Sequence, residues 1–511
     1  MNWRKKQGVL SESEVDEGED RISHLPDSVF SHILSFLPIL TAGTTRVLSS
    51  RWRNLWPSVT NLKFEFCDYN YRHDVEWFTD FVDGVMINCE ALKIHSFRLK
   101  SWKRMDCSRV YNWICSAIMW RVEVLDLTLN MTDPIYLPRS FFFCKSLVGL
   151  VLNGEFVLDV PFRACFPSLK RLDLRSVLFV DDESVERLFC GCPMLEELIV
   201  FRTVWDGVRV FKISSHSLKM LYLQVTTSYW TKSIRNYEYV LVLDAPNLAK
   251  LELHDDHSEN FLICNLQSVI DATIDVLEPD SDWAIDGTYS ERLALTLLAG
   301  ISNTRSLSLS GDTLQALCVL RDYKLPTFHS LTHLGLHMNV IKHGWYLFGE
   351  LLHSMPNLEV LVFERGLVDL DVMDSDFIQT WNIPFSVSSC LLLHVKTIEI
   401  FEFVLRKDEL LILLYLLAIA KVLQKITVHC GLYLSRDTKY QKELFMALQE
   451  KQTISVFVMS SCPQKTKDDK DPSEDVFCWG ERRRLQIVQF IFYMSCGPLC
   501  GSSFHQKGAG N

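Results

Sequence analysis

SLKRLDLRSVLFVDDESVERLFCGCPMLEELIV, residues 168–200, contains one phrase twice. The first copy is Leu169-x-x-Leu172-x-Leu174 and the second is Leu195-x-x-Leu198-x-Val200. Within each copy the alternation is that of a β-strand, whose successive side chains point to opposite faces. The leucines share one face, and Arg171 and Asp173 take the other. Between the copies, Asp181-Asp182-Glu183 opens a helical run that closes at Cys190-Gly191-Cys192-Pro193. Acidic residues suit a helix N-terminus, and Gly then Pro suit its end. A unit this small cannot bury its apolar face alone, so it must stack on its own kind.

The phrase recurs in both directions. Leu147-Leu150-Leu152 precedes it; Leu218-Leu221-Leu223, Leu248-Leu251-Leu253 and Leu331-Leu334-Leu336 follow. Val122-Leu125-Leu127 and Leu358-Leu361-Phe363 are variants. Phrases starting at 147, 169, 195 and 218 lie 22, 26 and 23 residues apart. That is the period of leucine-rich repeats, roughly 20–29 residues. The fold class expected is α/β: a solenoid with one parallel strand per phrase, outer helices, and a curved sheet. Leu172 and Leu174 should be buried, and Arg171 and Asp173 more exposed. The register blurs between about 255 and 303, where irregular repeats are expected.

A different pattern fills residues 20–64, DRISHLPDSVFSHILSFLPILTAGTTRVLSSRWRNLWPSVTNLKF. Asp27 is placed to cap a helix carrying Phe30, Ile33, Leu34 and Leu37, which Pro38 stops. Residues 44–56 read as a second helix with Val47, Leu48, Trp52 and Leu55 on one stripe. So short a segment cannot bury that surface alone, so part of it is expected to dock on another protein. The succession Leu25-Pro26, Ile33-Leu34, Leu48-Ser49, Arg51-Trp52-Arg53 and Leu55-Trp56 resembles the plant-type F-box. That resemblance implies a Skp-type adaptor, and through it a cullin, as partners. It places Leu25, Pro26, Ile33, Leu34, Leu48 and Trp52 at the adaptor contact. The simpler alternative is a helical cap on the first repeats.

Residues 380–403, TWNIPFSVSSCLLLHVKTIEIFEF, and 415–428, YLLAIAKVLQKITV, form a third block. Their pattern predicts a strand over 395–403, a helix over 408–423, a strand over 426–430 and a helix near 439–450. These elements would close the open end of the array. Trp381, Pro384, Val387, Cys390-Leu391 and Lys396, then Tyr415-Leu416-Leu417, Ala420 and Leu423, resemble the FBD domain. FCGCPMLEELIV likewise resembles repeats of plant F-box proteins. The expected organisation is an acidic, disordered 1–19, an F-box at 20–66, repeats at 67–379, the FBD at 380–460 and an unassigned, poorly ordered tail at 461–511.

Composition narrows the function. Hydrophobic residues make up 48% of the 511, enough for a large core. A net charge of −11 argues against general phosphate-backbone binding, so nucleic acid is not expected as a partner. The 16 cysteines are scattered, and the polar N-terminus lacks the apolar core of a secretory signal. An intracellular, reducing setting in nucleus or cytoplasm is expected. The uncharged run 410–420 is far shorter than the roughly 20 residues of a membrane span, so no membrane partner is expected.

His254-Asp255-Asp256-His257 with Glu259 could suggest metal ligation, but a polar loop after a strand explains it. Cys190 and Cys192 lack a second pair at zinc-like spacing, so both are assigned to core packing. Arg482-Arg483-Arg484 reads as a solvated run. No Walker-type loop, GxGxxG, HExxH or GxSxG occurs. The expectation is a non-catalytic binding protein with no catalytic residues, metal or cofactor. It would bring an unidentified target protein to a cullin–RING ubiquitin ligase. The alternatives are a repeat scaffold without ligase assembly and a small-molecule sensor. The sequence selects no target-binding residues.

Overall fold

A computed structural model describes residues 25–37, 39, 41, 45–49, 59–66, 75–89, 93–203, 206–226, 239–256, 258, 260–276, 289–318, 324–337, 344–367, 387–403, 407–430 and 455–460. The chain forms two compact units, 1–132 and 133–511.

In the first unit, strands Asn61–Phe66, Ser96–Met105 and Val124–Met131 pair in parallel, in that order. Helices Val75–Asn88 and Cys107–Met119 connect them. Asp106 caps the second helix by accepting from the Arg109 amide at 2.9 Å. The Trp113 indole donates to Asp83 at 2.6 Å and ties the helices together. The strands carry the repeat phrase in another spelling, Val59-Leu62-Phe64 and Ile94-Phe97-Leu99, all buried. The repeat therefore starts about 60 residues before Val122, with aromatic and β-branched residues in leucine positions.

The second unit carries a parallel sheet of twelve strands among the described residues. In order they are Gly149–Asn153, Arg171–Arg175, Glu197–Thr203, Met220–Thr226, Lys250–Asp255, Asp271–Val276, Ser306–Ser310, His333–His337, Val360–Phe363, Thr397–Phe403, Lys425–Cys430 and Ser455–Ser460. Every leucine phrase forms a strand here or in the first unit. Leu172 and Leu174 are buried, Arg171 is exposed and Asp173 half-buried, as alternation requires. The blurred stretch continues the array through Val269-Ala272-Ile274 and Thr304-Leu307-Leu309, all buried. Its repeats are irregular because small and polar side chains fill leucine positions.

The outer layer is mixed. Helices occupy Asp182–Cys190, Tyr289–Gly300, Gly311–Cys318, Gly344–Ser354, Ser389–Leu393 and Lys407–Ile419. Elsewhere short parallel strands replace the expected helices: Val210–Ser214, Val240–Asp244 and Asn260–Cys264 form one sheet, and Ile135–Tyr136, Phe156–Leu158 and Leu178–Phe179 another. Their alternating apolar pattern favours strand over helix. Asp181 accepts from the Ser184 amide at 2.7 Å and starts the helix Asp182–Cys190. Gly191 ends it where a Cβ would lie 2.7 Å from the Ala164 carbonyl oxygen.

The C-terminal block follows the expected strand–helix–strand order with one shift. The helix ends at Ile419 and not at 423. Leu423 is instead the first buried residue of the phrase Leu423-Ile426-Val428. A further strand, Ser455–Ser460, pairs parallel with Lys425–Cys430. The helix expected near 439–450, the acidic segment 1–19 and the tail 461–511 lie outside the described residues.

Candidate binding surfaces

The first surface is the N-terminal helix Asp27–Phe36. Its cap position is Pro26, with Asp27 as the first helical residue. Asp27 is therefore not the cap; its carboxylate lies in the first turn, where it favours the helix dipole. Phe30, Leu34 and Ile39 are buried, which seats the helix. Val29, Ile33 and Phe36 remain exposed, Phe36 at 76%. They fall at i, i+4 and i+7, one uncovered apolar stripe. The second helix does not form over its described part: Thr45–Val47 is one 3-10 turn and Ser49 is non-helical. Gly43 and the β-branched Thr44 and Thr45 disfavour an α-helix there. Val47 and Leu48 are left exposed, Leu48 at 64%.

The six residues chosen from sequence are thus divided. Pro26, Ile33 and Leu48 are exposed, Leu25 is half-buried and Leu34 is fully buried. Trp52 lies outside the described residues. Val29 and Phe36 were not chosen, although their helical spacing to Ile33 would have found them.

The second surface is the face of the twelve-stranded sheet that points away from the leucines. Register places Arg175, Phe201, Gln224, His254 and Asp275 in one row across five adjacent strands. Asp173, Ile199, Tyr222, Glu252 and Thr273 form the next row. The Arg175 guanidinium sits 4.5 Å from the Phe201 ring centroid and is held by two 2.8 Å bonds to Asp173. Phe201 packs on Tyr222 at 4.8 Å, and Tyr222 on His254 at 5.5 Å. His254 Nδ1 pairs with Asp275 at 3.1 Å and Nε2 with Glu252 at 3.5 Å. Burial opposes charging of His254, yet the bonds to Asp275 and Glu252 outweigh it and lift the pKa to about 9. Burial and the nearby Glu252 push the Tyr222 hydroxyl up to about 12.

Further along this face His337 pairs with Glu364 at 2.8 Å, and the Ser308 hydroxyl donates to the same carboxylate at 3.2 Å. Gly335 leaves the room, since a Cβ there would collide with the Ser308 hydroxyl. Phe401 stacks on His429 at 4.1 Å. Burial lowers the His429 pKa.

His254 and Asp255 belong to a strand and not to a polar loop, and His254 is engaged by carboxylates of its own and the next strand. His257 and Glu259 lie outside the described residues. Among the described residues no three His, Cys, Asp or Glu are grouped to hold a metal ion. The cysteines part company: Cys192 is in the core, its thiol pushed up to about 12 by burial, but Cys190 is exposed and does not pack inside. Among the described residues no helix is long and apolar enough to cross a membrane.

A leucine-rich-repeat array with a helical segment whose apolar stripe is left open defines a class by architecture: a repeat protein with exposed surfaces suited to holding partners. Comparison with known proteins narrows this. Residues 22–64 match the F-box domain, 110–271 the leucine-rich repeats of FBD-associated F-box protein At5g56370, and 383–428 the FBD. F-box/FBD/LRR-repeat protein At5g22660 of Arabidopsis thaliana is 30% identical over 400 residues, 77% of this chain and 85% of that protein. F-box/LRR-repeat protein At4g14103 of the same plant is 35% identical, covering 70% and 94%. Putative FBD-associated F-box protein At5g56440 is 31% identical, covering 85% and 97%. The chain belongs to the plant F-box/FBD/LRR-repeat family. It is an F-box protein of the substrate-adaptor type, and its F-box implies binding to a Skp-type adaptor.

Proposed function

We propose that this chain is the substrate-recognition subunit of an SCF-type ubiquitin ligase, acting in nucleus or cytoplasm and performing no chemistry itself. The observation that carries the reading is the uncovered stripe Val29, Ile33 and Phe36 on a helix otherwise seated by Phe30 and Leu34, within the segment that matches the F-box. An adaptor helix laid against that stripe and against Leu25, Pro26, Leu48 and Trp52 would bury it, with Leu34 fixing the helix from inside. The target protein would rest on the outward face of the repeats. Holding both raises the effective concentration of target lysines near the ubiquitin-charged enzyme.

Reconstitution tests this. Purified full-length chain, Skp-type adaptor, cullin and RING subunit should co-elute as one complex that ubiquitinates a captured target. Adaptor binding without cullin recruitment, or no adaptor binding, would leave a repeat scaffold and overturn the ligase reading.

A further inference from the structure

The protein is acidic, yet the strand Ser96–Met105 of the first unit presents Arg98, Lys100, Lys103 and Arg104 with Trp102 and no carboxylate of its own. Arg98, Trp102, Lys103 and Arg104 are exposed and Lys100 half-buried. A bulge makes this density possible. Ser101 is in register with Leu129 but Arg104 with Asn130, so Trp102 and Lys103 are extra residues on this strand. Two hydrogen bonds hold the bulge: the Ser101 hydroxyl donates to the Lys103 carbonyl at 3.0 Å, and the Asn130 amide to the Trp102 carbonyl at 3.3 Å. Three consecutive side chains thereby reach solvent where a regular strand would bury one. Lys103 also lies 5.7 Å from the Phe66 ring centroid.

Arg98 and Lys100 each have one carboxylate as a register neighbour, Asp126 beside Arg98 and Glu65 beside Lys100. Glu65 is taken by Lys63 at 3.0 Å. Arg98, Lys100 and Arg104 form no ion pair among the described residues. Over Ser96–Ser101 both edges of the strand are occupied by parallel neighbours, so recognition there falls to its side chains.

From this we propose that the outward face of Ser96–Met105 docks an extended acidic segment of a partner protein. Arg98 and Lys100, two residues apart, repeat at about 6.6 Å, the spacing of alternate side chains in an extended peptide. Guanidinium groups pair carboxylates through two parallel bonds. Trp102 supplies the apolar anchor beside the charges, as interface hot spots commonly do. A nucleic acid is disfavoured: it needs many phosphate contacts and rows of stacking rings, whereas this face has four cations, one exposed indole and an overall charge of −11 behind it. The inference does not depend on ligase assembly.

Binding of fluorescein-labelled decaglutamate to the full chain, read by anisotropy at low and at physiological salt, tests it. The site should bind, weaken with salt, and lose about ten-fold in affinity in Arg98→Gln/Lys100→Gln, the loss expected for two charge contacts. Trp102→Ala should also weaken binding, and both variants should melt with the wild-type chain. A second series with a deoxythymidine decamer covers the competing class. No decaglutamate binding, binding unchanged in Arg98→Gln/Lys100→Gln, or tighter binding of the decamer through the same residues would overturn the proposal.

Discussion

His254 is held between Glu252 and Asp275, so its proton is part of the fold. Its folded pKa of about 9 lies above the unfolded value near 6.5, so its stabilisation is complete below about pH 6.5 and is lost as pH rises toward 9. Melts of wild type against His254→Gln should show a stability difference of at most about 3 kcal/mol near pH 6 that closes by pH 9.5. A difference independent of pH would mean that His254 acts by packing alone. Arg202 makes a sharper case. Its side chain is 2% exposed, pairs with Asp206, and faces Phe179, Phe211 and Tyr239. Asp206→Asn strands that charge and should cost about 3–5 kcal/mol. Lys212→Ala breaks the exposed pair with Glu186 and should cost no more than about 1 kcal/mol. Urea unfolding of both variants checks the contrast.

At the scale of the element, legibility depended on which residues fill the phrase. Leu172 and Leu174 announced a strand because leucine repeats at fixed offsets. Phe97 and Ala272 occupy the position of Leu172, and Thr304 that of Leu169, buried without that signature, since a stacked repeat asks only for a side chain that fits between its neighbours. The strands Val210–Ser214 and Val240–Asp244 were hidden by the expectation of helices, although their alternation was present. The row from Phe201 to Tyr222 to His254 was not legible at all: these residues stand 21 and 32 positions apart, and only parallel register brings them together. The N-terminal helix was readable from Phe30 and Leu34, but its open side was only partly identified. The C-terminal elements give a further prediction. Ile412, Leu413, Leu416 and Leu417 bury the inner side of the helix Lys407–Ile419, leaving Leu414 exposed. Deleting 407–452 should lower the melting temperature more than deleting 476–511, because damage in a stacked array spreads from the lost interface to its neighbour. Equal melts, or a larger drop on losing the tail, would put the cap elsewhere.

For the whole molecule, the proposed function is a division of labour: a small helical segment would hold a common adaptor, and a long sheet a particular partner. The two should be separable by mutation. Leu25 and Pro26 lie at the start of the helix, the first half-buried and the second exposed, and neither is among the buried core residues. Isothermal titration of purified Skp-type adaptor into the wild-type chain and into Leu25→Ala/Pro26→Ala tests this most directly. The wild type should bind tightly, the double variant should lose roughly 1–4 kcal/mol per lost contact, and the melt of the repeats should be unchanged. Unchanged adaptor affinity in a folded double variant would contradict the proposed function.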